Sequence, residues 1–412
     1  MNTNIFIAKT LWKSNSSKRG LAGGSAVIAA ISVAISIMVM TLSIAISDGF
    51  KKEIVNKTSG FLGEILLHSP GVEITTSQYP VLSNPSFLDS LNKLESVSAV
   101  QPYVYRSAII KQNEDIQGVV IKGVDSFFDW SFFESVLKEG ALPQIEKSLN
   151  ESQLLISRRL ADMLSYKVGD PVLVYFVDNS VRIRKFIISG IYDAQLEDID
   201  KSLLITCAPV LQGVNNWDIN EVSGLEIKLK NGYDIGKAAQ TIEKIIEEAP
   251  SSESYFVTTV NELFPHLYDW LRLLDFNVLI IMFLMLAVAG FNMISGLLIL
   301  LFEKVSMIGV LKSLGMRDSS IHKIFLIRAL FLVFWGMVIG NIIAFILIFI
   351  QQYYKIIPLD PVNYFVDHVP VFVSWYKIAL LNIGAILIIV LLLMIPSLFI
   401  SKISPEKTLR VK

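Results

Sequence analysis

Phe276–Phe302 reads FNVLIIMFLMLAVAGFNMISGLLILLF, 27 residues without one Asp, Glu, Lys or Arg. As a helix it would run about 40 Å at about 1.5 Å per residue, longer than the roughly 30 Å hydrocarbon core of a bilayer. Three more stretches are equally free of charge: Leu21–Ser47, Ala329–Tyr354 and Ile378–Ser401. No other part of the chain approaches their length, so the pattern predicts four membrane-spanning α-helices. The first run is too long for a cleaved leader, whose apolar part is usually about 7–15 residues, and it predicts a retained helix.

Composition agrees. Of 412 residues, 53% are apolar and 18% charged, against about 45–50% and about 25% in soluble domains. Mean hydropathy is +0.55. A net charge of −1 supplies no basic field for nucleic acid. A single cysteine, Cys207, excludes an intrachain disulfide framework and a Cys-based zinc site. His68, His266, His322 and His368 stand singly, and no metal site is expected.

Basic residues set the expected orientation. Lys9, Lys13, Lys18 and Arg19 precede the first span without an acid. Lys304, Lys312, Arg317, Lys323 and Arg328 lie between the second and third. Lys402, Lys407, Arg410 and Lys412 close the chain. All three segments are predicted to be cytoplasmic, because Lys and Arg in short flanks mark the cytoplasmic side. Asp48–Asp269, with 20 Lys and Arg against 31 Asp and Glu, then lies outside. The expected order is an interfacial amphipathic segment 1–20, helix 21–47, an external domain 48–269, a stalk and helix 270–302, a cytoplasmic segment 303–328, helix 329–354, an outer loop 355–377, helix 378–401 and a tail 402–412. Ile5–Lys13 mixes apolar residues with Trp12 and Lys, the composition of a helix lying in the interface.

The external domain reads as α+β. Strands are predicted at Glu64–Leu67, Val100–Ile110, Gln117–Lys122, Leu154–Ile156, Pro171–Val177, Val181–Ile191, Ser202–Ile205 and Leu225–Leu229. Helices are predicted at Pro85–Leu94, Ser157–Leu164 and Asp234–Glu248. Val260–Leu274 reads as an amphipathic stalk running into the second span, with Pro265 tolerated near its start.

No nucleotide-binding or hydrolytic motif is present: no G-x-x-x-x-G-K-[ST], G-x-S-x-G, H-E-x-x-H or G-x-G-x-x-G. Glu197, Asp198 and Asp200 form an acidic run expected to be a solvated loop. No catalytic or cofactor-binding residue is expected. The spans hold no ionisable residue in their middles, which argues against an ion pathway. Asn292, and Gly336 with Gly340 in a G-x-x-x-G, are expected to serve helix packing. In the cytoplasmic segment, Ile308, Gly309, Val310, Leu311, Leu314, Gly315 and Met316 form an apolar stretch without an obvious core to join, expected to dock in a partner's groove.

Five stretches resemble one family. Leu286–Leu298, the following Glu303-Lys304 with Ile308–Met316, Ile46–Glu53, Pro358–Pro370 and Ile403–Arg410 are together similar to the FtsX-like permeases of ABC transporters, within them to the LolC/LolE lipoprotein-releasing permeases. The resemblance implies a MacB-like periplasmic core domain of two subdomains and a coupling helix on Lys304–Met316. It implies a homo- or heterodimeric permease with two separate ATPase subunits that bind ATP and Mg, so that this chain holds no cofactor and is not itself an enzyme. It further implies a lipoprotein cargo, a periplasmic lipoprotein carrier and a place in the bacterial inner membrane. On this reading Ile44, Ile46, Phe276 and Leu279 would line an acyl-binding cleft. The alternatives are a MacB-type permease for peptide or toxin efflux and a signal-transducing regulator of cell-wall hydrolases.

Overall fold

The computed structural model describes residues 21–69, 79–112, 115–144, 152–177, 181–230, 232–249 and 255–397. The interfacial segment 1–20, the tail 402–412 and the closing motif Ile403–Arg410 lie outside the described residues. The main helices are α1 (Leu21–Leu62), α2 (Arg158–Leu164), α3 (Ala208–Asn215), α4 (Ile235–Glu247), α5 (Pro265–Glu303), α6 (Val305–Ser313), α7 (Asp318–Tyr354) and α8 (Trp375–Ser397). The strands are β1 (Ile65–His68), β2 (Val81–Leu82), β3 (Val97–Gln112), β4 (Asp115–Val124), β5 (Leu137–Gly140), β6 (Gln153–Ser157), β7 (Pro171–Val177), β8 (Val181–Tyr192), β9 (Leu203–Cys207), β10 (Glu221–Val222), β11 (Gly224–Leu229) and β12 (Phe256–Thr259). Two compact units result. One, mainly helical, comprises Met1–Lys52, Trp270–Pro358 and His368–Lys412; the other, built on sheet, comprises Glu53–Asp269 with Leu359–Asp367.

In the helical unit, α1, α5, α7 and α8 are long and apolar enough to cross a membrane. Each turns one stripe inward: Val33, Ile37 and Met40 from α1, Ala289, Met293 and Leu297 from α5, Phe325 and Val333 from α7, Leu381 and Ile389 from α8. Steps of three and four residues keep such a stripe on one face of a helix. The opposite faces expose large apolar side chains such as Phe283, Phe291, Phe334 and Phe349, as a lipid-facing surface requires.

Two helix boundaries differ from the sequence reading. The run predicted to end at Ser47 continues as helix to Leu62. Beyond Asp48 the buried positions Phe50, Ile54, Thr58 and Phe61 keep the helical stripe while Lys52 faces out, so charge alone does not end the helix. The stalk predicted over Val260–Leu274 is broken. Val260–Leu263 forms one turn, Phe264 leaves helical geometry at φ −121° and ψ 59°, and α5 starts at Pro265. A residue that precedes proline is pushed out of the α region, and Pro fits the first helical position.

In the sheet unit, ten strands among the described residues share one hydrogen-bonded network. Its path is β12-β1-β11-β3-β4-β9-β6-β8-β5, and β7 bridges β3 and β8. The two expected subdomains therefore share one sheet. β4–β9 and β6–β8 are parallel and the other pairings antiparallel. Two helices are capped at their starts: Ser157 Oγ accepts from Leu160 N–H at 3.0 Å, and Asp234 Oδ1 from Lys237 N–H at 2.9 Å. α4 buries Ala238, Ala239, Ile242 and Ile246.

The end of α1 is fixed within this unit. The Phe61 ring packs edge-on against Phe132 and Phe133, at centroid distances of 5.0 and 5.5 Å. Its carbonyl accepts from Lys122 Nζ at 2.6 Å, and the same ammonium pairs with Glu226 at 2.5 Å. Lys122 and Glu226 are 0% and 1% exposed. Burial pushes the Lys122 pKa below its ordinary value, while the Glu226 charge works against that shift. Gly63 follows at φ +69°, and Glu64 N–H then donates to Ile227. Asp200, expected in a solvated loop, is instead 3% exposed. Burial, with the Asp193 charge adding, raises its pKa to about 7.

Candidate functional site

Within the helical unit a cavity of about 530 Å³ opens between α1, α5 and α8. α5 contributes Asp275, Val278, Leu279, Met282, Phe283 and Leu286, in alternating steps of three and one that hold one helix face. α1 contributes Met40, Ile44, Ser47 and Asp48. α8 contributes Lys377, Leu380, Leu381, Gly384, Ala385 and Ile388. A Cβ on Gly384 would meet nothing within 4 Å. Below its charged end the wall is apolar but for Ser47, so the cavity suits hydrocarbon.

The four residues predicted for an acyl cleft divide. Ile44 and Leu279 line this cavity; Ile46 and Phe276 do not. Helix phase accounts for the difference. Each residue turns the helix by 100°, so Ile46 stands about 200° from Ile44, and Phe276 about 100° from Asp275. Phe276 is 60% exposed on another face.

The charged end was not foreseen. Lys51 pairs with Asp275, and Lys377 with Asp48. Ser47 Oγ also donates to Asp275, at 3.4 Å. The four ionisable groups stand just beyond the charge-free runs of three helices, so a search confined to those runs passes over them. Asp48 keeps one oxygen, Oδ2, enclosed without a partner among the described residues.

The connection between α5 and α7 is folded differently from its reading. α6 runs Val305–Ser313, and Leu314 caps it. Gly315 takes φ +85°. Gly315 N–H donates to Lys312 and Met316 N–H to Leu311, both at 3.0 Å, the Schellman closure that an L-residue with a side chain at Gly315 would strain. Ile308, expected to lack a core, is 0% exposed inside the helical unit's own core, and Leu311 and Met316 pack partly against that core. Gly309 is buried. The exposed apolar groups are Val310 and Leu314, at 45% and 78%. Lys312 and Asp318 pair at 3.0 Å.

The packing residues lie at helix contacts. A Cβ on Gly336 would stand 2.8 Å from the Ala30 carbonyl oxygen, and one on Gly340 would run into that of Ala34, so both glycines set the approach of α7 to α1. Asn292 Nδ2 donates to Ser32 Oγ at 2.6 Å. A second polar contact escaped the sequence reading. Thr41 Oγ1 donates to Asn341 Oδ1 at 3.3 Å, and Asn341 Nδ2 to Asn382 Oδ1 at 2.8 Å, joining α1, α7 and α8.

Comparison with known proteins gives two family matches: residues 279–405 match the FtsX-like permease C-terminal family, and residues 26–245 the MacB-like periplasmic core domain. The chain is 24% identical over 398 residues to the lipoprotein-releasing system transmembrane protein LolC of Neisseria meningitidis serogroup B, covering 93% of this chain and 92% of that protein. It is 21% identical to the corresponding LolE of Haemophilus influenzae, with 99% of both chains covered. It is 22% identical to the macrolide export ATP-binding/permease protein MacB of Bartonella henselae, over 76% of this chain and 49% of that one.

Proposed function

The chain belongs to the FtsX-like permeases that carry a MacB-like periplasmic core domain, and from that premise we propose that it is the permease subunit of a lipoprotein-releasing ABC transporter in the bacterial inner membrane. In this role it draws lipoproteins from the outer leaflet and passes them to a periplasmic carrier. The observation that carries the reading is the apolar cavity between α1, α5 and α8, closed at one end by charged groups. Such a site suits the acyl part of an amphiphile below its polar part. Similarity to LolC and LolE along nearly the whole chain supports the choice of cargo.

Moving a lipid chain into water costs about 0.8 kcal/mol per CH₂, so extraction needs an energy source. ATP and Mg belong on two separate ATPase subunits, and a second permease subunit completes the core. α6 faces the ATPase through Val310 and Leu314. The termini and α6 are cytoplasmic and the sheet unit periplasmic, as the Lys and Arg bias requires.

Depletion of the protein tests the reading. Outer-membrane lipoproteins should accumulate in the inner membrane, followed by fractionation and immunoblotting. Normal sorting in a cell without a second such permease overturns it. The similarity to a macrolide export protein over three quarters of the chain favours one other reading, a permease that drives efflux through motion of its periplasmic domain. Lipoprotein retained on the purified complex separates the two.

A further inference from the structure

The cavity's size and its charged end together specify an occupant. An apolar cavity of roughly 150 Å³ holds benzene, with six carbons. On that scale a cavity of about 530 Å³ holds about 20 carbons, one long acyl chain and not two. Its charged end is neither basic nor acidic. Two ammonium groups pair with two carboxylates: Lys377 with Asp48, both on the cavity wall, and Lys51 with the wall residue Asp275. These four groups stand at one end of three charge-free runs, the level at which headgroups meet hydrocarbon.

An anionic head would answer the lysines and leave both carboxylates facing like charge. An uncharged hydroxyl head could donate and accept, but only through the weaker hydrogen bonds of a group without charge of its own. A head with a phosphate and a primary ammonium answers both, because the ammonium brings N–H donors to the carboxylates and the phosphate oxygens accept from the lysines. A quaternary ammonium has no N–H to give. Asp48 is one such acceptor with capacity to spare, its side chain 10% exposed and its Oδ2 without a partner.

We propose that this cavity is a binding site for one acyl chain of an ethanolamine phospholipid, with the phosphate at Lys51 and Lys377 and the ammonium at Asp48 and Asp275. The second acyl chain stays in the bilayer. The intrachain ion pairs close the site when it is empty, and the head takes their place on binding. The site itself stands on the cavity; the further step, that cargo must displace this lipid to load, rests on the lipoprotein reading.

The test uses the full chain with its ATPase and permease partners in phosphatidylcholine nanodiscs. A trace of either phosphatidylethanolamine or phosphatidylcholine is added, each carrying the same diazirine on one acyl chain. The ethanolamine probe should label peptides containing Met282 or Leu381 at least about five-fold more than the choline probe, the ratio that about 1 kcal/mol of added hydrogen bonding gives. Asp48→Asn with Asp275→Asn should bring it down to the choline level. Gly384→Phe adds a ring where a Cβ meets open space, and should abolish labelling with the charged end intact. Equal labelling by the two probes, or ethanolamine labelling that survives both the paired Asn variant and Gly384→Phe, overturns the site. Triacylated lipoprotein should diminish the label. A specific ethanolamine label that lipoprotein leaves unchanged keeps the lipid site and overturns loading of cargo at this cavity.

Discussion

Replacing Lys122 by Met should show how far one buried cation holds the sheet unit together. The ammonium donates to the Phe61 carbonyl and pairs with Glu226, itself 1% exposed. The Met side chain fills similar space but leaves a carboxylate without its cation and a carbonyl without its donor. Breaking a buried pair by removing one partner costs about 3–5 kcal/mol. The orphaned carbonyl adds to that within the same site, so about 5 kcal/mol is expected for the two together. For a unit of this size each kcal/mol moves the midpoint by about 2–4 °C, so the thermal transition should fall by roughly 10–20 °C. Removing both charges, Lys122→Met with Glu226→Leu, should restore most of the loss, since a buried pair replaced by apolar groups is often neutral or stabilising. The assay is thermal unfolding of the full chain in detergent, read by near-ultraviolet circular dichroism. The Phe128 ring lies 4.9 Å from the ammonium and shares a core with Tyr103 and Tyr105, so these rings report packing around the pair. A single variant within about 1 kcal/mol of the parent, or a double variant no more stable than the single, would refute the reasoning.

Asp200→Asn should flatten part of the stability profile. Because folding raises this carboxyl from an ordinary 3.8 to about 7, the folded chain binds more protons between those values, and the stability it contributes at low pH is lost as pH rises through about 7. Unfolding midpoints at pH 5 and pH 8 should therefore differ less in the variant, with the gain at pH 8; an unchanged difference removes the assignment. Leu314→Asp should insert normally yet lose the ATPase on purification, because a charge would be buried at that contact. Ile308→Ala should instead destabilise the chain by about 2–5 kcal/mol, as a core truncation does; equal partner loss without destabilisation would put Ile308 in the docking surface after all. Gly340→Ile should separate α7 from α1 and lower the yield of folded protein in detergent, read by size exclusion, whereas Gly384→Ala should have no such effect. Cysteines at the exposed positions Ser90 and Ser313 should differ in labelling by an impermeant thiol reagent in spheroplasts, and labelling of Ser313 alone would reverse the topology.

Much of the architecture was legible in the sequence. Charge-free runs locate all four long helices, because a bilayer tolerates no charge in their middles. The eight predicted strands all occur, with ends shifted by up to three residues. Missed were β2, β5, β10 and β12: β2 and β10 have two residues each, too few for alternation to register, and β5 reads LKEG, without a β-branched residue. α3 was missed: Pro209 and Gly213 interrupt its local pattern, yet Pro209 sits at the helix start, where its absent N–H costs nothing. The candidate site was half legible. Residue type pointed to an apolar surface near the ends of the first two spans, but which side chains share a cavity depends on helix phase. That separates Ile44 and Leu279 from Ile46 and Phe276. The Lys122–Glu226 pair was not legible, since nothing local distinguishes a charge that finds its partner about a hundred residues away.

The hydrogen bonds joining Thr41, Asn341 and Asn382 bear on how the chain is made. Asn341 enters the membrane long after Thr41, and Asn382 enters last. Until α8 arrives, one Asn341 amide N–H–Asn382 bond cannot form, and a polar group in hydrocarbon then has only its own helix and α1 to answer it. A chain cut before α8 would therefore leave one asparagine N–H unanswered in hydrocarbon, so the three-helix network is complete only with the last span in place.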